Sequence, residues 1–166
     1  MKLAAQTGFV FIELVVVLII IGLLAAVALP TYRDYALSAA VVEGLLLAQP
    51  LRDKVEEYYA YHGRFPRDNR ALAINEPGAL FSDAIERIEV RDGAIHLHYR
   101  QNDSSDLPDG VLSLRPTLSV KQADAPIVWV CAQRSAASRR AAGEDLSDLE
   151  APYLRRACQE WGAENK

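Results

Sequence analysis

The chain has 166 residues, and a long apolar run near its start leaves roughly 100 residues for one compact water-soluble domain. Lysine and arginine number 18 against 22 aspartates and glutamates, a net charge of -4, which excludes the global basic field that dominates nucleic-acid binding. Two cysteines, Cys131 and Cys158, stand in neither a CxxC pair nor a Cys/His cluster with zinc spacing, so metal and redox-motif readings are poor.

From Phe9 to Leu29 the sequence is FVFIELVVVLIIIGLLAAVAL. At 1.5 Å per residue this run makes a helix of about 31 Å, the thickness of a bilayer's hydrocarbon core. Only Lys2 precedes it and Arg33 and Asp34 follow, a weak bias toward a cytoplasmic N-terminus and an exported C-terminal domain. A secretory signal peptide is the competing reading, because Ala26-Val27-Ala28 forms an A-x-A site that would release Leu29 onward. Against it, the run exceeds the usual h-region of about 7 to 15 residues, and Glu13 interrupts it near its start.

Glu13 is the anomaly. An acid in a membrane helix is unfavourable by at least about 2.5 kcal/mol and normally marks a functional site with a partner. A free amine at Phe9, four residues earlier, would serve, and a neighbouring chain supplies it more naturally than the same helix; either needs cleavage between Gly8 and Phe9. The bland alternative is a glutamate that snorkels to the membrane surface.

The runs Gly8-Phe9-Val10-Phe11-Ile12-Glu13-Leu14 and Gly22-Leu23-Leu24-Ala25-Ala26-Val27-Ala28-Leu29-Pro30-Thr31-Tyr32 resemble those of type IV prepilins. The resemblance is close over residues 8 to about 35, although Val10 and Phe11 replace the small, often Thr-containing, positions usual in the family. It implies an eight-residue leader, MKLAAQTG, cut after Gly8 by prepilin peptidase, and methylation of the new amine of Phe9. It also implies that Glu13 registers an incoming subunit against that amine. In such filaments the stretch between the positions of Gly22 and Pro30 can lose its helical structure. Gly22 with Ala26 also reads as ordinary small-residue helix packing.

Past Pro30 the helical pattern resumes at Leu37, Ala40, Val41, Gly44, Leu47, Leu51, Val55 and Tyr58, one sticky face that needs a sheet to cover it. His62-Gly63, with Pro66 beyond, stops the helix, and Pro30 and Pro50 predict curvature within it. Residues 63 to 84 read as a connecting loop. Asp92-Gly93 joins strands Ile85 to Val90 and Ala94 to Arg100 in a hairpin, and Val111 to Lys121 and Ile127 to Ala132 read as two more strands. The fold class is α+β, a long N-terminal helical spine packed on a roughly four-stranded antiparallel sheet. Its expected parts are a leader (1–8), a transmembrane and filament-core half-helix (9–29), an amphipathic half-helix (30–62) and a globular region (63–166).

If that globular region is exported, Cys131 and Cys158 can close a loop of about 28 residues, adding roughly 3 to 4 kcal/mol of stability; otherwise they are two buried thiols. The pilin resemblance implies the disulfide, closing an exposed C-terminal region used in subunit contacts and surface display.

No nucleophile elbow, phosphate loop or HExxH motif is present, so an enzyme is not expected, and neither is a cofactor. His96 and His98 share one side of a strand but lack an evident third ligand, and read as a solvated or packed pair. The loop from Asn102 to Gly110 carries three acids without EF-hand spacing and reads as a polar turn. Arg134, Arg139, Arg140, Arg155 and Arg156 are mixed with acids; they offer a weak local DNA contact that a polymer could multiply, against a solvated surface or subunit interface. Tyr32 and Tyr35 read as interface anchors, and Tyr58, Tyr59 and Tyr61 as core.

The function expected is that of a structural pilus subunit supporting adhesion, twitching motility or DNA uptake. Its implied partners are other pilin subunits, prepilin peptidase, the pilus assembly platform, the inner membrane before assembly, and DNA or a host surface afterwards. The alternatives are a type II secretion pseudopilin and a membrane-anchored exported binding domain.

Overall fold

The computed structural model describes residues 7–74, 82–101, 107–122, 124–132 and 138–149, together with Leu154 and Cys158. The chain divides into two compact units, Met1–Tyr35 and Ala36–Lys166. Helix α1, Thr7–His62, is assigned without interruption through Pro30 and Pro50.

In the second unit α1 buries Leu37, Ala40, Val41, Leu45, Ala48, Leu51 and Val55. Steps of three and four residues keep them on one face. The stripe differs slightly from the sequence reading: Leu45 and Ala48 are buried, while Leu47 and Tyr58 are only half-buried at its margins. Four strands, β1 (Ile85–Arg91), β2 (Ala94–Tyr99), β3 (Gly110–Ser119) and β4 (Val128–Cys131), form an antiparallel sheet in the order β1-β2-β3-β4. Alternate residues form one core cluster with the helix, among them Ile88, Val90, Ile95, Leu97, Leu112, Leu114 and Trp129.

Two details fix the register. Asp92 and Gly93 both have positive φ (49° and 84°), the geometry of a two-residue hairpin whose twist matches its strands. A register irregularity between Ile85 and Arg87 puts two exposed residues, Glu86 and Arg87, between buried Ile85 and Ile88. An extra residue of this kind restores the inward phase of the strand.

The sequence reading missed two elements. Within the expected loop of residues 63 to 84, Asn69–Leu72 forms a 3-10 turn, capped by Asp68, whose carboxylate accepts from the Ala71 amide at 3.0 Å. A fifth strand, β5 (Arg139–Ala141), pairs with β3 at Thr117–Ser119. Three residues, two of them arginines, carry no alternation from which a strand could be read.

Beyond β5 the chain crosses the sheet face turned away from the helix. Gly143 lies against Ala94 and Arg91, so close that an added Cβ would meet the Ala94 Cβ at 2.5 Å. Asp145 faces Arg115 at 3.5 Å, and Leu146 N–H donates to Ser113 Oγ at 2.9 Å. Ser147 and Asp148 then accept from the Ser113 and Val111 amides, at 2.9 and 2.6 Å. A disulfide joins Cys131 to Cys158, with Cα atoms 5.6 Å apart.

Candidate assembly site

The first unit carries an unusual surface. Phe11–Ala28 is long and apolar enough to cross a membrane, and every described side chain in it is exposed except half-buried Val15. An exposed apolar stretch of this length is stable only in lipid or against other protein. A Cβ added at Gly22 would meet nothing of this chain within 4 Å, so no packing among the described residues requires the glycine.

Gly8 and Phe9 both lie within α1, as does Pro30. Glu13 follows Phe9 by four residues, a rise of about 6 Å that places the two on one face of the helix. Glu13 is exposed, and among the described residues it has no ion-pair partner. Helix geometry thus puts Phe9 and Glu13 on one side, while Gly22, nine residues beyond Glu13, falls on the opposite side. Cys131 and Cys158 belong to the other unit and are linked to each other there.

The family whose sequence profile matches is the pilins, a family of bacterial filament proteins, over residues 39–159. The chain belongs to the pilin family. It is 31% identical over 161 residues to a type IV major pilin protein PilE1 of Neisseria gonorrhoeae, covering 93% of this chain and 88% of that one. A fimbrial protein of Neisseria meningitidis serogroup B is 33% identical over 143 residues, covering 86% and 82%. The fimbrial protein EcpC of Eikenella corrodens is 32% identical over 156 residues, covering 93% and 91%. These matches establish a type IV pilin, a structural filament subunit and not an enzyme.

On the pilin's second unit, several side chains singled out from sequence are committed to packing. Arg139 donates to Thr117 Oγ1 and Thr117 O, both at 2.9 Å, and to Pro126 O, which fastens β5 and removes it from a free basic surface. Arg140 is exposed; Arg134, Arg155 and Arg156 lie outside the described residues, as do the side chain of Tyr32 and residues 102–106 of the acidic loop. Asp109 of that loop accepts from the Gln101 amide at 2.7 Å, as a polar turn would. Tyr61 is exposed rather than core, and Tyr58 stacks on His62 at the helix end.

The two histidines have different surroundings. His96 is fully buried under the crossing segment, with Nδ1 2.9 Å from Ser113 Oγ; burial, opposed by Glu89, lowers its pKa below the ordinary value. His98 is half-buried between Arg87 and Glu89, and burial together with the Arg87 charge lowers its pKa too. Burial would raise the pKa of Glu89, but its bond to Arg91 at 2.6 Å and the neighbouring histidine bring it below the usual carboxylate range.

Sequence reading did not find Asn69. Its Nδ2–H donates to Ile88 O at 3.1 Å and its Oδ1 accepts from Val90 N–H at 2.5 Å, so one side chain occupies two outward main-chain groups of β1, beside the Asp68–Arg91 bridge on the same edge. Only a hairpin register could have indicated it, since its partners lie 19 and 21 residues away.

Proposed function

We propose that the subunit polymerises into a type IV pilus through α1, after prepilin peptidase cuts between Gly8 and Phe9 and methylates the amine of Phe9. The observation that carries this reading is the exposed acid, Glu13, at the start of an exposed apolar run and one helical turn from Phe9. Apolar helices leaving lipid for one another gain little per residue, because lipid tails are as apolar as leucine; shape and polar contacts therefore set specificity. A carboxylate that must find a partner supplies such a contact. In the filament Glu13 takes the Phe9 amine of a neighbouring subunit, which fixes axial register, while Gly22 and Pro30 mark the stretch where the helix can yield during packing.

On this reading residues 1–8 are a leader, 9–29 anchor the subunit in the inner membrane and then form the filament core, 30–62 carry the head, and 63–166 form the outer surface closed by Cys131–Cys158. An assembly platform transfers subunits from membrane to filament. The pilus then supports adhesion, twitching motility or DNA uptake, and the names of the relatives, major pilin and fimbrial protein, favour a pilus over a secretion pseudopilin. Glu13→Ala tests the registry role: it should leave the protein processed and folded but poorly incorporated into sheared filaments, and incorporation at the wild-type level would contradict that role.

A further inference from the structure

His96 is a titratable side chain that the assembly reading does not use. It has no exposed surface, lying on β2 beneath the segment 142–149 that crosses the outer face of the sheet. Ser113 Oγ stands between the two: it accepts the Leu146 N–H at 2.9 Å and lies 2.9 Å from His96 Nδ1. Neutral imidazole carries one ring proton, and the Ser113 hydroxyl meets Nδ1 as donor or as acceptor according to which nitrogen holds it. Nε2 is buried and has no hydrogen-bond partner among the described residues.

A second proton makes both ring nitrogens donors, so the Ser113 hydroxyl can only accept from Nδ1 and the Nε2–H of a buried cation is left unpartnered. The groups facing it offer little relief. From β1, Glu89 is already bonded to Arg91 at 2.6 Å and lies 3.6 Å from His98; from β2 and β1, His98 and Arg91 add like charge. From the crossing segment, Asp145 is bonded to Ser147 Oγ at 2.6 Å and faces Arg115 of β3 at 3.5 Å. A buried charge without a free partner is strongly unfavourable, and admitting water by lifting the cover is the nearest escape.

We propose that protonation of His96 in mild acid releases the segment 142–149 from the outer face of the sheet. The segment lies between Cys131 and Cys158, so the disulfide keeps it tethered and the opening reversible. The result is an acid-responsive patch on the pilin head, independent of how the subunit polymerises.

Amide hydrogen exchange of the full chain in detergent micelles, corrected for the intrinsic pH dependence of exchange, tests this. Between pH 7.5 and 5.0, protection of Leu146 and Asp148 should fall severalfold, up to about thirtyfold if the opened imidazole titrates near its ordinary value of about 6.5. Amides of β1 and β2 should keep their protection. His96→Asn, which keeps a side-chain amide for Ser113 and cannot titrate, should abolish the response, and His98→Asn should preserve it. Unchanged protection in wild type, an equal fall in His96→Asn, or a fall across the whole sheet would overturn the proposal. If His96→Asn does not fold, the His96 imidazole titration followed by NMR decides instead: its midpoint must coincide with the loss of protection, and a loss that tracks His98 or a carboxylate refutes it.

Discussion

The hydroxyl of Tyr99 donates to the main-chain carbonyl of Val41 at 3.0 Å, where Gly44 lets helix and sheet approach closely. Both groups are buried, and a Cβ at Gly44 would collide with the Tyr99 hydroxyl and come within 2.9 Å of Ile85. Burial pushes the Tyr99 phenol far above its ordinary range, so it remains a neutral donor at any ordinary pH. Gly44→Ala should therefore destabilise the head by about 1 to 3 kcal/mol through overpacking, although at an exposed helical site the same change gains about 1 kcal/mol. Tyr99→Phe should lose about 1 kcal/mol. Urea denaturation of the full chain in detergent measures both, and a stabilised Gly44→Ala would contradict the close approach.

Asn69 continues the cover that the Asp68–Arg91 bridge places on the β1 edge of the sheet. Asn69→Ala leaves Val90 N–H and Ile88 C=O without their partner and should cost about 2 to 4 kcal/mol. Asn69→Asp keeps the acceptor for Val90 but sets an oxygen against the Ile88 carbonyl, so it should also destabilise. An unguarded edge invites strand pairing between chains, and light scattering should show head-to-head aggregation in either variant.

Replacing Cys131 and Cys158 together by serine should lower stability by about 3 to 4 kcal/mol, the chain-entropy value for a loop of this length. The loss should match that of reducing the wild-type protein. A double variant as stable as the oxidised protein would mean that native packing alone holds this region.

Acid should act in two stages. His96 and His98 have folded pKa values below the ordinary 6.5, so the unfolded state takes up protons first; their contribution is full above about 6.5 and declines as pH falls through the folded values. Glu89 is lowered from 4.5, so its contribution persists to lower pH and is lost as pH falls from there through its folded value. Stability measured from pH 8 to 3 should begin to drop near 6.5 in wild type, and that first drop should vanish when both histidines are replaced by asparagine.

Much of the fold was legible because its signals are local. The apolar run, the three-and-four spacing of α1 and Asp92-Gly93 each specify their geometry within a few residues. β5 and the crossing segment were not legible: Arg139, Asp145 and Ser147 are polar, and partners far along the chain, such as Thr117, Arg115 and Ser113, hold them. The same reason hid Asn69. His96 was recognised as one of a pair, but strand alternation cannot tell a solvated outer face from one that a later segment covers. Glu13 stood out by the opposite logic, as a charge where its neighbours forbid one.

The most direct measurement is the intact mass and N-terminal sequence of the subunit recovered from filaments sheared off the cell surface. A chain beginning at methylated Phe9 and recovered in those filaments is the predicted result. A mature chain beginning at Leu29, or one absent from surface filaments, would contradict polymerisation through α1.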